Sequence, residues 1–180
     1  MGKEEAELIA RCKKGDIKGY ELLYNRYSPA MYHTCLRIVV YAADAEDILQ
    51  DAFMEAFTSL DKIKNADAFG GWLKRIVINK SINHVKRHQK SWLELEETDL
   101  ADQADEQAVD ELDFKNKLEA IVEALNGLPE KYRVVINLHI FEQMSFEEIA
   151  GMMNAPSATV RSQYLRGKQK ILNGIDLKLK

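Results

Sequence analysis

The sequence predicts an all-α protein of two small helical domains, the C-terminal one a helix-turn-helix, joined by an acidic linker. Three observations lead there. Apolar residues recur at three- and four-residue intervals along nearly the whole chain, and alternating β-branched runs bounded by turns are absent. The stretch from Ser91 to Glu111 is acidic and poor in apolar residues, so it is expected to solvate and not to pack. Beyond it, two short helical patterns flank a turn containing Pro156. The expected domains are therefore residues 1–90 and 112–180, with 91–111 as the linker. A length of 180 residues with 46% hydrophobic content leaves room for this and excludes a collagen-like or wholly disordered chain.

In the first domain a helix is expected over Glu4–Lys14, with Leu8, Ile9 and Cys12 on one face and Gly15-Asp16 as its end. A second begins near Asp16 and carries Tyr20, Leu23, Tyr24 and Tyr27 up to Ser28-Pro29, where a third starts with Pro29 in its first turn and Met31, Cys35, Ile38 and Val39 at core spacing. Asp44 is the expected N-cap of a fourth helix, whose apolar stripe is Ile48, Leu49, Ala52, Phe53 and Phe57. Residues 59–71, with Asn65, Asp67, Gly70 and Gly71, read as a loop or short turns. From Trp72 to Gln89 one amphipathic helix buries Trp72, Leu73, Ile76, Val77, Ile82 and Val85.

In the second domain helical spacing resumes near Leu112 and runs to Gly127. Pro129 opens the next helix, with Tyr132, Val135, Ile136 and Leu138 at helical intervals. Ser145 and Glu148 form a capping box ahead of Ile149, Met152 and Met153, and Asn154 suits the left-handed turn that closes that helix. A last helix from Ala158 to Leu172 buries Val160, Tyr164, Gly167 and Ile171.

The net charge of −4, from 25 Lys+Arg and 29 Asp+Glu, hides a segregated pattern. Between Ile38 and Asp61 every charge is acidic; between Trp72 and Lys90 every charge is basic; the last helix is basic again through Arg161, Arg166, Lys168 and Lys170. Such blocks suggest at least two partner surfaces. No run approaches the roughly 20 apolar residues of a membrane span, and the N-terminus lacks the apolar core of a signal peptide, so no membrane insertion and a cytoplasmic location are expected. Cys12 and Cys35 lack metal or disulfide spacing, and neither a metal nor another cofactor is expected.

Each charged block has competing uses. The exposed candidates of the final helix, Thr159, Arg161, Ser162, Leu165 and Arg166, could meet base edges in a major groove, or its cations could merely solvate an exposed face. The basic helix fits a membrane surface, a calmodulin-like partner or nucleic acid, and Asn79, Asn83, His84 and His88 favour the last. His84 and His88 have the i, i+4 spacing of a helical metal pair, but no third ligand accompanies them. No nucleophile or phosphate loop accompanies the acidic helix, which better suits docking of a basic partner than catalysis.

The motifs AEDILQDAF (Ala45–Phe53), WLKRIVIN (Trp72–Asn79), LPEKYRVVINL (Leu128–Leu138) and SFEEIA followed by TVRS (Ser145–Ser162) occur in one order around the acidic linker. In this they resemble bacterial RNA polymerase sigma factors of the extracytoplasmic function type, in the sigma-70 family, from about Glu7 to Ile171. The resemblance implies a non-enzymatic initiation factor whose partners are core RNA polymerase and promoter DNA, with an anti-sigma factor as a further partner in many relatives. It implies core-polymerase binding by Asp47, Ile48, Gln50 and Asp51, and opening and capture of the melted promoter element by the loop and helix from Leu60 to Gln89, along a path lined by Phe69, Asn79, Asn83, Lys86 and Arg87. Reading of the upstream element falls to Thr159, Arg161, Ser162 and Arg166, with Arg133 as a phosphate contact. Gly167 stands where the family usually has alanine, which by propensity alone weakens the helix by up to about 1 kcal/mol. The rival expectation is a stand-alone helix-turn-helix regulator that binds duplex DNA tightly as a dimer.

Overall fold

The structure is a computed structural model that describes residues 2–88 and 111–178. The linker expected over residues 91–111 lies outside the described residues, except for Glu111, which already belongs to a helix. The chain divides into two compact units, Met1–His88 and Gln89–Lys180.

The first unit contains α1 (Gly2–Lys13), α2 (Ile17–Val39), α3 (Ala42–Thr58) and α4 (Phe69–His88), with single 3-10 turns at Leu60–Lys62 and Ala66–Ala68 between α3 and α4. Asp16 caps α2 by accepting from the Lys18 N–H at 3.0 Å, and Arg11 holds the same carboxylate at 2.6 Å. That guanidinium keeps the Asp16 carboxyl below its usual range. Helix α2 then passes through Pro29 without ending, contrary to the expected break. An interior proline normally costs about 3 kcal/mol. Leu23, Met31, Cys35 and Ile38 nevertheless lie on one buried stripe across it, and each full apolar burial contributes about 1.5–3 kcal/mol. The exit is a tight turn at Val40, whose φ of +72° lies where β-branched residues rarely sit.

Asp44 is not the cap of α3. Tyr41 occupies that position without a side-chain hydrogen bond, and Asp44 lies in the first turn, where a carboxylate still complements the helix dipole. Helix α4 starts at Phe69, three residues earlier than Trp72, because the Phe69 ring is fully buried beside Tyr27. The core between α2, α3 and α4 includes Ala45, Ala52, Leu73, Val77 and Ile82. Cys12 and Cys35 are free and buried, and burial pushes the Cys35 thiol up to about 11. Neither is poised as a thiolate.

The second unit contains α5 (Glu111–Asn126), α6 (Glu130–Ile140), α7 (Phe146–Met153) and α8 (Ser157–Lys178). The capping box at the start of α7 is complete: Glu148 N–H donates to Ser145 Oγ at 3.1 Å, and Ser145 N–H donates to Glu148 Oε2 at 2.8 Å. Asn154 closes α7 in the left-handed region at φ +53°. Helix α8 packs on α5, α6 and α7, so its buried stripe is wider than expected and takes in Thr159 and Gln163 beside Val160 and Gly167. Tyr164 and Ile171 are only half-buried, against a core of Leu128, Tyr132 and Ile136.

Gly167 has a packing reason that propensity does not reveal. A Cβ there would stand 2.5 Å from Ile136 Cδ1 and 3.1 Å from Tyr132 Cβ, so glycine is what lets α8 approach α6. Gly167→Val is therefore expected to destabilise the unit by about 1–3 kcal/mol through overpacking, despite the better helix propensity, and calorimetry of the full chain checks it.

Candidate functional site

In the first unit α3 turns its apolar stripe inward and leaves Asp47, Gln50 and Asp51 exposed. Ile48 is only 6% exposed, so it offers little surface of its own, but it lines the groove that α3 forms with α4. Across from α3, helix α4 exposes Asn79, Asn83 and Arg87. The two helices enclose a groove of about 330 Å³ to which Asp47 and Asp51 contribute from one wall and Asn79, Asn83 and Arg87 from the other. The sequence treats these as two separate sets; the fold brings them to one groove. An ion pair from Lys80 to Glu55 at 3.1 Å bridges its walls, and His84 Nε2 of α4 lies 3.3 Å from Asp44 Oδ2 of α3. His84 thus has a carboxylate partner on the neighbouring helix, and the side chain of His88 lies outside the described residues.

Lys86 is half-buried, and the loss of water around its ammonium lowers its pKa from the ordinary lysine value. Phe69 has no exposed surface and packs edge-on against Tyr27 at a centroid distance of 5.2 Å. A ring so enclosed cannot stack on a base without unpacking the start of α4, so Phe69 is corrected to a core residue.

In the second unit Arg161 stands exposed on α8. Its guanidinium carbon lies 5.5 Å over the Phe146 ring, and Nη2 is 4.0 Å from Glu147 Oε1. Phe146 is itself backed by His139, stacked at 4.3 Å, whose Nδ1 meets the Met144 carbonyl at 2.8 Å. These residues of α6 and α7 thereby set where Arg161 points. Sequence reasoning missed them because no helical period links Phe146 to Arg161; the only local signal is an aromatic residue in the first turn after the Ser145 cap. Ser162 and Arg166 are half-buried on the same helix.

Thr159 and Arg133 are corrected. Thr159 is 8% exposed, on the packed side of α8. Arg133 is 6% exposed, and its Nη1 donates to the Leu128 carbonyl at 2.8 Å and the Asn126 carbonyl at 3.3 Å. It satisfies carbonyls at the α5–α6 junction, a structural role in place of the expected phosphate contact. Arg133→Met is expected to destabilise the chain by about 1–3 kcal/mol, because the buried Leu128 carbonyl loses its donor. Its effect on DNA binding should vanish once fold is matched by temperature, which titration at two temperatures checks.

The geometry thus presents an acidic surface with a basic partner helix in one unit and a helix-turn-helix with an outward arginine in the other. Comparison with known proteins assigns both parts. The model of sigma-70 region 2 matches residues 23–91, and that of sigma-70 region 4 matches residues 118–171. The RNA polymerase sigma-H factor of Pseudomonas aeruginosa is 31% identical, over 93% of this chain and 92% of the relative. The ECF RNA polymerase sigma-E factor of Escherichia coli K12 is also 31% identical, with the same two shares covered. The chain belongs to the extracytoplasmic function sigma factors of the sigma-70 family.

As a member of that family it is a sigma factor, which binds core RNA polymerase and directs promoter recognition, melting and transcription initiation. The fold agrees with that of the sigma factor RpoE from Bartonella quintana, solved in complex with the anti-sigma factor NepR. That likeness has a TM-score of 0.55 at 19% identity and covers 89% of this chain and 98% of the other. Among the described residues no helix is long and apolar enough to cross a membrane.

Proposed function

We propose that this sigma factor divides its work between its two units, residues 1–90 docking on the polymerase and holding the melted promoter element, residues 112–180 reading the upstream element as duplex. The observation that carries this is the groove in the first unit, where acids of α3 face amides and a guanidinium of α4. Asp47, Gln50 and Asp51 meet basic residues of the polymerase through the exposed acidic face. Asn79 and Asn83 hydrogen-bond unstacked bases, and Lys86 and Arg87 hold the strand's phosphates. In the second unit Arg161 reads a guanine edge in the major groove, with Ser162 and Arg166 beside it. The acidic segment 91–111 tethers the two contacts and raises the effective concentration of the second once the first is made.

The protein acts by binding and not by catalysing a reaction, and it acts in the cytoplasm, where the polymerase and the promoter are. An anti-sigma factor that covers the acidic groove and the α8 surface would silence both contacts at once. The test is transcription by purified core polymerase on a randomised promoter library, with the chain added. Selection of a two-part promoter, together with weak duplex binding by the chain alone, is the expected result. Tight sequence-specific duplex binding by the free chain as a dimer would instead favour a stand-alone regulator.

A further inference from the structure

The segment between α3 and α4 is short of internal support. Its two single turns are closed by local hydrogen bonds, Lys62 N–H to the Ser59 carbonyl and Ile63 N–H to the Leu60 carbonyl, and by Asn65 Oδ1 accepting from Asp67 N–H. Leu60 is buried, but Asp61, Lys62, Lys64, Asn65, Asp67 and Ala68 all face outward. What holds the segment from behind is α1, which packs against both turns. Lys13, at the end of α1, donates from Nζ to the Ile63 carbonyl at 3.3 Å. Near the start of the same helix, Glu5 is buried and accepts from the Tyr27 hydroxyl.

Tyr27 in turn fixes the start of α4. Its ring packs edge-on against Phe69, and a Cβ on Gly70 would lie 2.8 Å from its Cε1, so the first turn of α4 is seated directly on this ring. Burial and the Glu5 carboxylate push the Tyr27 hydroxyl up to about 12, so it remains a donor at neutral pH. The family match to sigma-70 region 2 begins at residue 23, after α1 has ended.

We infer that α1 positions the promoter-facing segment, with Lys13 and the Glu5–Tyr27 pair as positioning residues that set the base discrimination of the loop and of α4. This rests on the reading above that residues 60–89 hold the melted strand. The physical reason is that an outward-facing segment without its own core discriminates bases only if its backbone is held in one place. Lys13 holds the middle of it and Tyr27 the end, and neither lines the groove that holds Asn79, Asn83 and Arg87.

The experiment uses the full chain assembled with core polymerase. Single-stranded oligonucleotides carry either the melted element preferred by the native protein, selected from a random pool, or that element with each base replaced in turn. The quantity read is the ratio of the two dissociation constants. Lys13→Met and Tyr27→Phe are each expected to lower this ratio roughly three- to tenfold, the scale of one lost hydrogen bond, with polymerase affinity unchanged. Lys13→Arg, which keeps a donor, should restore it. A merely stabilising role lowers the active fraction and shifts both constants together, leaving the ratio where it was. A native ratio well above one that persists in both variants would overturn the role of α1. A native ratio near one would overturn the assignment of residues 60–89 to the melted strand, and this inference with it.

Discussion

Asp47→Lys combined with Asp51→Lys should remove detectable association with core RNA polymerase, lowering affinity by at least about 100-fold. Both carboxylates are exposed on α3, where a cationic partner surface would meet them directly. Placing like charges opposite one another in an interface costs several kcal/mol, and about 2.7 kcal/mol is already a factor of 100. The substitution also puts two lysines across the groove from Arg87 and beside Lys80, so helicity and melting temperature should be measured with it. The Lys80–Glu55 and His84–Asp44 pairs do not involve the altered residues and continue to tie α3 to α4. Co-elution of the folded double variant with core polymerase at native affinity would remove the acidic face from the interface. The effect should grow at low salt, because an exposed charge pair is screened within about 10 Å at 0.1 M.

The second large effect is at the opposite end of the chain. Arg161→Ala should lower use of the upstream promoter element by about 10- to 100-fold, since a bidentate arginine–guanine pair contributes about 1–3 kcal/mol of discrimination. Arg161→Lys should recover little of it, because an ammonium cannot present two parallel donors to the base edge. Polymerase binding should be untouched. The fold should also survive, as the pair with Glu147 spans 4.0 Å between two exposed side chains and such pairs contribute at most about 1 kcal/mol. A base contact and a phosphate contact separate in the salt dependence: loss of a base contact relaxes specificity at one position, while loss of a phosphate contact weakens every sequence and flattens the salt slope. Equal weakening on all upstream sequences would therefore reassign Arg161 to the backbone.

Legibility followed the range of the forces involved. The capping box of Ser145 and Glu148, the Asn154 turn and the Asp16 start of α2 depend on residues within four positions of one another, and all three are present. Pro29 shows the limit of such reasoning. Its local penalty is real, yet the stripe formed by Leu23, Met31, Cys35 and Ile38 is worth more once α3 and α4 are there to cover it. Arg133 carries its signal in the helix around it. Every residue from Tyr132 to Leu138 is buried, which is what a helix apolar on nearly all sides should do, and a basic residue inside such a helix must go to structural carbonyls.

By itself, then, the sequence determined most of the helices, the two-domain order, the charge of each surface and the family, because periodicity, caps and motifs are written along the chain. Only the tertiary structure decided which members of those motifs are available. Ile48, Phe69 and Thr159 share their helices with exposed neighbours, and a rotation of less than half a turn separates the two groups. Which side is covered depends on the neighbouring helix: Tyr27 over Phe69, α4 beside Ile48, and α6 seated against Gly167. The same packing joins Asp47 and Asp51 to Asn79, Asn83 and Arg87 in one groove, a juxtaposition of residues some thirty positions apart that no local pattern encodes.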